Sequence, residues 1–447
     1  MFATYLILHY FWDVLSQPYL WDELGVYSRA ASRMYQDGLS LLPNAIPDEL
    51  SRGHPLLSTF YFALAFKLFG CHPFVAHCAA ALINMVNFHL IFLILKRYIS
   101  PLYALVFTLI LFIQPVFLSQ SVLVLPETPL MLATSLAIYA YLENKKILLC
   151  FAITSALFIK ESAVILPIAF VLAEFIKNKF KLKFSFIAYA FIAPVLCIAT
   201  FFVIQKIQRG YYFYPLHTSL AKFEAYYIHE RWDNLSAFIF SDQGHFLFPI
   251  ILIISIIIGS KYLKNLDRSL LILPILFIGG IGFQILNYYL SRYTLFFLLP
   301  YFSFCLLLFA LSTQDKKYLL WLSVIVLVIN GLWFLKGRGA YTDVNFSYVP
   351  HLKNMTAVIA ELDKPEYQKK SVEMGFPLAA CYFDQNNGYE RNADFKIELV
   401  PSDSVDFKVL TLPGNIADTS YLKPNFRLYK TVKTGPAYSL IYKNITP

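Results

Sequence analysis

The sequence is poor in charged residues, and this scarcity decides its class. Asp, Glu, Lys and Arg make up only 15% of its 447 residues, whereas hydrophobic residues make up 58%. A soluble domain carries roughly 25% charged residues. Composition therefore excludes an ordinary soluble globular protein, and with a mean hydropathy of +0.57 we expect a chain that crosses a membrane many times.

Signatures of several other classes are missing as well. The six cysteines include no CxxC pair and mostly lie in apolar runs, so we predict neither a disulfide framework nor a cysteine metal site. Residues 1–20 have no charged start and no small-residue cleavage site, which argues against a cleavable signal peptide. The net charge of +9 comes from bases dispersed over short loops. That distribution is typical of the cytoplasmic loops of a membrane protein and not of a surface that binds nucleic acid.

Long apolar runs are what the sequence has in abundance. A membrane-spanning helix needs roughly 20 apolar residues, and about eleven runs approach that length. The predicted spans are residues 1–20, 74–95, 101–118, 121–142, 147–160, 162–177, 184–204, 246–260, 270–288, 293–311 and 317–335. The runs 147–160 and 162–177 are short, and a single helix through both is an alternative. The charges of the loops distinguish one helix from two.

Clustered bases between the spans predict the topology. They lie at residues 96–97, 145–146, 177–183, 261–268 and 316–317. If all five clusters face the cytoplasm, consecutive clusters are joined by an even number of crossings. Lys160-Glu161 then forms an outer turn between two short helices. The same count leaves the N-terminus inside and places the loops 22–72 and 205–245, and the tail, outside the cytoplasmic membrane.

The composition changes sharply after residue 335. We therefore divide the chain into a membrane module, residues 1–335, and an extracytoplasmic domain, residues 336–447. Residues 351–363 have the pattern of an amphipathic helix, and short runs of period two follow it. The predicted strands are residues 379–383, 395–400, 405–412, 426–431 and 438–442. A tail of about 110 residues is long enough to build a small α/β domain with its own core.

Charged residues close to the apolar runs all fall on the face opposite the basic loops. A charge in hydrocarbon costs about 2.5–3.5 kcal/mol on insertion scales, so it usually faces a polar cavity and pairs with another group. Four positions converge on one membrane depth, and they are Asp22-Glu23, Glu127, Lys160-Glu161 and Arg292. We predict that they form one site on the outer face of the membrane.

Such a set of residues suits transfer of a group from an anionic lipid carrier. A carboxylate near the membrane surface, Asp22 or Glu23, is a candidate general base for an acceptor hydroxyl or amine. Cationic side chains hold a departing phosphate and stabilise the charge that develops on it. The candidates for that role are Arg52, His54, Lys160 and Arg292.

These residues give the chain a resemblance to a known family. It resembles the C-type glycosyltransferases (GT-C), specifically the bacterial relatives of dolichyl-phosphate-mannose protein mannosyltransferases and of the lipid A aminoarabinose transferase. That family carries an acidic pair with a Tyr, a His/Lys-Pro-Pro-Leu motif, a second acidic motif, a Lys-Glu-Ser/Thr turn and an Arg-Tyr pair. The corresponding residues here are Asp22-Glu23 with Tyr27, His54-Pro55-Leu56, Pro126-Glu127-Thr128-Pro129-Leu130, Lys160-Glu161-Ser162 and Arg292-Tyr293.

The resemblance covers residues 18–335 and implies an activity. It implies inverting transfer of one sugar from a polyprenyl-phosphate donor to a glycolipid, glycan or protein acceptor at the outer face of the cytoplasmic membrane. Asp22 would be the general base, and Glu127 would orient the acceptor or the base. The implied carrier- and substrate-binding residues are Glu23, Tyr27, Arg52, His54, Lys160, Glu161 and Arg292. We predict no metal and no cofactor, because the sequence holds no dedicated ligand cluster.

Two other functions are alternatives to this one. A flippase or transporter of a lipid-linked glycan usually places its charges near the midplane and shows internal repeats, whereas the charges here lie at one face. A polymerase or ligase of surface polysaccharide also has many spans but acts on diphosphate-linked oligosaccharides. Neither the sugar nor the acceptor can be read from the sequence.

Overall fold

In the computed structural model the chain is mostly helical, with a small sheet near its C-terminus. The structure describes residues 12, 14–220, 223–263, 266–313, 316–335, 342–391, 396–399, 404–412 and 424–445. The predicted first span, residues 1–20, lies largely outside the described residues.

The described part of the first 335 residues is mostly helical, and most of its longer helices are apolar. Their bounds are α1 Ser28–Asp37, α2 Asp48–Ser51, α3 Leu57–Phe69, α4 Pro73–Lys96, α5 Pro101–Phe112, α6 Pro115–Gln120, α7 Glu127–Leu142, α8 Lys146–Ile159, α9 Ile165–Lys177, α10 Phe184–Arg209, α11 Pro215–Leu220, α12 Ala225–Phe240, α13 Leu247–Leu263, α14 Ile272–Leu286, α15 Leu295–Ser312 and α16 Lys317–Phe334. Within the described residues, six helical segments are long and apolar enough to cross a membrane. The predicted class, a helical membrane protein with many spans, is confirmed, and the number of eleven crossings stays a prediction.

Two breaks between helices bring the charged residues to helix ends. The predicted span at 121–142 is wrong at its start, because residues 121–126 are not helical and α7 begins at Glu127, directly after a proline. Lys160 has extended backbone angles and separates α8 from α9, with a 3-10 turn at Glu161–Val164 between them. The predicted break at Lys160-Glu161 is confirmed, and one continuous helix is excluded.

The segment at 205–245, predicted as a polar loop, is largely helical. It contains the end of α10 and the helices α11 and α12. Leu235, Phe238 and Ile239 on α12 are buried, and Phe238 and Ile239 follow Leu235 by three and four positions. This spacing places them on one face of the helix, so α12 packs against the bundle although its other face is polar.

The tail forms a helix and a five-stranded sheet, as the predicted α/β class requires. Its elements are α17 Tyr348–Leu362, β1 Ser371–Met374, β2 Lys396–Glu398, β3 Phe407–Leu412, β4 Phe426–Thr434 and β5 Ala437–Asn444. The strand order is β2-β1-β3-β5-β4. Strand β1 pairs in parallel with β2 and β3, and β5 pairs antiparallel with β3 and β4. Helix α17 is tied to the sheet by Asn354, whose Nδ2 donates to the Val432 carbonyl at 3.0 Å.

One predicted strand of the tail is wrong. Residues 378–382 form a 3-10 helix, and Leu378 to Cys381 are all buried. A strand with one solvated face would alternate between buried and exposed residues, so four successive buried residues do not suit it. Strand β1 was missed, and the predicted strand at 395–400 lies only partly within the described residues.

The tail and the membrane helices share a hydrophobic core. Leu24, Phe62 and the buried residues of 118–125 pack in one cluster with Tyr348, Met355 and Tyr389 of the tail. The tail is therefore packed onto the end of the bundle at which Asp22 and Glu127 lie. Because residues 336–341 are outside the described part, the domain boundary at 335/336 stays a prediction.

Candidate active site

Arg292 is the centre of a buried ionic network at one end of the bundle. It lies in the 3-10 turn Ser291–Thr294, just before α15. Its guanidinium contacts three carboxylates from distant parts of the chain. Nη2 pairs with Asp22, Nη1 lies 2.5 Å from Oδ2 of Asp343, and Nε lies 3.9 Å from Oε2 of Glu127.

Lys160 extends this network from the break between α8 and α9. Its Nζ lies 2.8 Å from Oε1 of Glu127, and it sits 3.4 Å from the centre of the Tyr293 ring. A cation over an aromatic face is attracted by the ring quadrupole. Glu127 therefore bridges the two cations, and the neighbours Arg292 and Tyr293 both contribute to the site.

Exposure separates the roles of the acidic residues. The side chain of Asp22 is 33% exposed, whereas that of Glu127 is only 3% exposed. Asp22 is therefore open to a second reactant, and Glu127 is enclosed with its two cations. Buried charges are stable only when they are paired with good geometry, so Glu127 suits the task of holding Lys160 and Arg292 in place.

His54 and Glu161 form a second pair beside the network. His54 Nδ1 lies 2.9 Å from Oε2 of Glu161. Burial raises the pKa of the Glu161 carboxyl, but the charge and hydrogen bond of His54 outweigh it and bring the pKa to about 2. Tyr27, His54 and Lys160 line one narrow cleft. This cleft joins the pair to the ionic network.

Two of the predicted site residues do not join the network. Arg52 follows α2 with a left-handed backbone (φ 48°), and its guanidinium makes no hydrogen bond or ion pair to any residue that the structure describes. Glu23 is 1% exposed, and its carboxylate pairs with His77 at 2.9 Å. Glu23 is thus enclosed away from Arg292, although it adjoins Asp22 in the sequence.

Sequence reasoning missed Asp343 and His77. Asp343 follows the last span in a stretch of ordinary polar residues, and no pattern there marks it as a partner of Arg292. His77 carried a usable signal, since it lies inside the apolar helix α4. A histidine in such a helix usually faces a polar partner, as acidic and basic residues near hydrocarbon do.

Known proteins resemble this chain in sequence and in fold. Residues 53–204 match the family model of dolichyl-phosphate-mannose-protein mannosyltransferase. No curated protein sequence matches the chain. The solved structure of ArnT from Cupriavidus metallidurans bound to undecaprenyl phosphate has 13% identity and a TM-score of 0.60, covering 98% of this chain and 97% of that one.

The apo state of the same ArnT aligns less completely. It has 14% identity and a TM-score of 0.57, covering 80% of this chain and 68% of that one. The likeness to ArnT concerns the fold, and the mannosyltransferase match concerns the sequence of residues 53–204, from the end of α2 to α10. These two findings support membership of the C-type glycosyltransferase superfamily, the first through the sequence of residues 53–204 and the second through the fold.

Proposed function

We propose that the protein transfers a sugar from a polyprenyl-phosphate-linked donor to an acceptor at the outer face of the cytoplasmic membrane. One observation carries the proposal: the partly exposed carboxylate of Asp22 is paired with the buried Arg292, which also contacts Glu127 beside Lys160. A base open to an acceptor and two enclosed cations meet at one helix end. These are the groups that transfer from an anionic carrier requires.

Asp22 is the proposed general base. Its carboxylate takes the proton of the acceptor hydroxyl or amine while the acceptor atom attacks the anomeric carbon of the sugar. The bond between that carbon and the phosphate oxygen breaks on the opposite side, so the anomeric configuration inverts. The products are the glycosylated acceptor, the protonated Asp22 and the polyprenyl phosphate.

Lys160 and Arg292 stabilise the departing phosphate. Preorganised cations in a site that excludes water stabilise developing charge more strongly than they would in water. Both side chains are enclosed, with 9% and 6% exposure. Lys160 also lines a narrow cleft with Tyr27 and His54, and we place the carrier headgroup on this side of the network.

Two comparisons support this class of donor. The matching family model is named for a dolichyl-phosphate-linked mannose, and the ArnT structure that covers nearly the whole chain has undecaprenyl phosphate bound. Dolichyl and undecaprenyl phosphates are both polyprenyl monophosphates. We therefore propose a monophosphate carrier and not the diphosphate-linked oligosaccharide of a polymerase or ligase.

The loop charges support a site on the outer face. Glu127 begins α7, and Lys145 and Lys146 lie just beyond the other end of that helix. Clustered bases favour the cytoplasmic side. The ionic network lies at the end of α7 opposite to those bases.

Replacing Asp22 by Asn tests the proposal. We expect turnover of a polyprenyl-phosphoryl sugar by the purified, membrane-reconstituted protein to fall by at least about 100-fold, since an amide cannot accept the proton. Asp37→Asn is the matched control, because Asp37 is 41% exposed and, among the residues that the structure describes, forms an ion pair only with Arg33. Wild-type turnover in folded Asp22→Asn protein would contradict the mechanism.

A second assay separates the donor classes. Binding of a polyprenyl monophosphate is compared with binding of the corresponding diphosphate, and the proposal requires the monophosphate to bind more tightly. Movement of an unchanged lipid-linked glycan across the bilayer, without a transfer product, would instead indicate a flippase. Mass spectrometry of envelope glycolipids from a deletion strain identifies the acceptor.

A further inference from the structure

Glu23 and His77 form a buried pair beneath the candidate active site. Both side chains are 2% exposed, and Nε2 of His77 lies 2.9 Å from Oε1 of Glu23. The other ring nitrogen of His77, Nδ1, lies 3.1 Å from the carbonyl oxygen of Leu15. Because both ring nitrogens face acceptors, the arrangement fits an imidazolium that donates twice, paired with a carboxylate.

The Glu23 carboxylate also accepts two backbone hydrogen bonds. The amide of Leu20 donates to Oε2 at 3.1 Å, and the amide of Val124 donates to Oε1 at 2.9 Å. The first bond spans Trp21, whose φ of 44° is unfavourable for a residue with a large side chain and persists only where its surroundings hold it. Glu23 thereby fixes the turn that presents Asp22.

The second backbone bond reaches the other acidic residue of the site. Val124 lies in the non-helical segment before α7, three residues ahead of Glu127. One carboxylate thus holds the segment that carries Asp22 and the segment that carries Glu127. These two segments must keep a fixed separation for Arg292 to contact both acids.

We propose that Glu23, supported by His77, is a positioning residue that sets Asp22 against Glu127 and Arg292 and touches no substrate. This inference rests on the proposed function, and it gives the two neighbouring acids different tasks. Asp22 faces the reactants, whereas Glu23 fixes the backbone on which Asp22 stands. Mutating the outer-shell partners that orient metal ligands typically lowers activity or metal affinity by about 10–100-fold, and we expect an effect of that order at Glu23.

Glu23→Gln is the informative substitution because it keeps the size of the side chain. An amide has one acceptor oxygen and a donating NH2 group, so it cannot accept from Leu20, Val124 and His77 together. We expect kcat to fall by about 10-fold or more while KM for the polyprenyl-phosphoryl sugar changes by less than about twofold, since no contact to the donor is removed.

His77→Gln and the double variant test whether the two residues act as one unit. His77→Gln keeps the Glu23 carboxylate, so we expect a smaller loss of kcat. Effects of residues that act together are not additive, so the double variant should turn over no more slowly than Glu23→Gln. A loss equal to the product of the two single losses would contradict the proposed unit.

Tyr389→Phe is the control for general loss of packing. Its hydroxyl donates to the Tyr19 carbonyl at 3.0 Å in the same core, without touching Glu23. We expect it to lower the thermal unfolding temperature while kcat per folded molecule stays at the wild-type value. If Glu23→Gln behaves in the same way, the role of Glu23 is only structural and the inference fails. A raised KM with unchanged kcat would instead make Glu23 a substrate ligand.

Failure of the proposed function would give a different result. In that case the wild type would not transfer sugar from the polyprenyl-phosphoryl donor, and Asp22→Asn would change nothing. Failure of the positioning role alone would leave wild-type transfer intact and sensitive to Asp22→Asn, with Glu23→Gln fully active per folded molecule.

Discussion

The two ends of helix α7 carry similar ion pairs in opposite surroundings. At its start, Glu127 is enclosed with Lys160 and Arg292. Just after its end, Glu143 pairs with Arg97 at 2.5 Å, and both of those side chains are 37% exposed. The helix has 16 residues, so these pairs lie about 24 Å apart along its axis.

The difference in exposure changes what each pair contributes. An exposed ion pair is worth about 0–1 kcal/mol, whereas removing one partner of a buried pair costs about 3–5 kcal/mol because a charge is left alone. Apolar residues of similar volume are often as stable as a buried ion pair. The buried network is therefore better explained by chemistry at that end of the helix than by stability.

The largest effect is expected at the centre of the buried network. Arg292→Met leaves Asp22, Glu127 and Asp343 without their shared cation. We expect the free energy of unfolding to fall by about 3–5 kcal/mol, and transfer to be lost even in protein that stays folded. Thermal unfolding and turnover per folded molecule measure both effects. A variant as stable and active as the wild type would contradict the difference between the buried and the exposed end of α7.

The next largest effect is expected at a buried histidine of the tail, which makes the free energy of unfolding depend on pH. Burial lowers the pKa of His351 to about 4, against about 6.5 for an exposed histidine, so the unfolded chain binds the proton more tightly. The stability that neutral His351 supports is complete above pH 6.5 and declines as the pH falls from 6.5 to 4, by up to about 3 kcal/mol. His351→Phe should flatten this part of the stability profile.

His229 provides the matched control for that experiment. Its side chain is 77% exposed on α12, so His229→Phe should leave the decline between pH 6.5 and 4 in place. An equally steep decline in His351→Phe protein would show that another group titrates there.

Asp343 allows a test in which binding is expected to improve. Its carboxylate lies 2.5 Å from the guanidinium of Arg292, so in the proposed mechanism it would compete with a carrier phosphate for that cation. Asp343→Asn lowers the negative charge around Arg292, so we expect a polyprenyl monophosphate to bind at least about threefold more tightly. Weaker binding would mean that Asp343 holds Arg292 in the geometry that the phosphate needs.

The exposed end of α7 should respond least. Glu143→Gln breaks the pair with Arg97, and we expect the free energy of unfolding to change by about 1 kcal/mol or less, with no change in turnover. A loss comparable to that of Arg292→Met would show that exposure does not separate the two ends of the helix.

Much of the site could be predicted because its cause is local. Asp22, Glu127, Lys160 and Arg292 stand out in apolar surroundings, and the cost of a charge in hydrocarbon can be assessed residue by residue. Asp343 could not be predicted in this way because it lies in a polar tail, where a carboxylate is not unfavourable and does not stand out from its neighbours. The strand predicted at 379–383 is wrong for a related reason. Whether a segment is buried on all sides depends on the segments that pack around it, which local sequence does not reveal.

The sequence by itself determined the membrane class, the helix break at Lys160 and the gathering of charged residues at one end of the bundle. These follow from composition and from local backbone preferences, which neighbouring segments do not alter. Only the tertiary structure decided the fates of Asp22 and Glu23. Glu23 begins a π-helical turn at Glu23–Tyr27, and neighbouring residues of a helical turn point in different directions. Asp22 therefore faces Arg292, whereas Glu23 is enclosed with His77. The packing of α4 and of the segment before α7 decides which of the two side chains is buried.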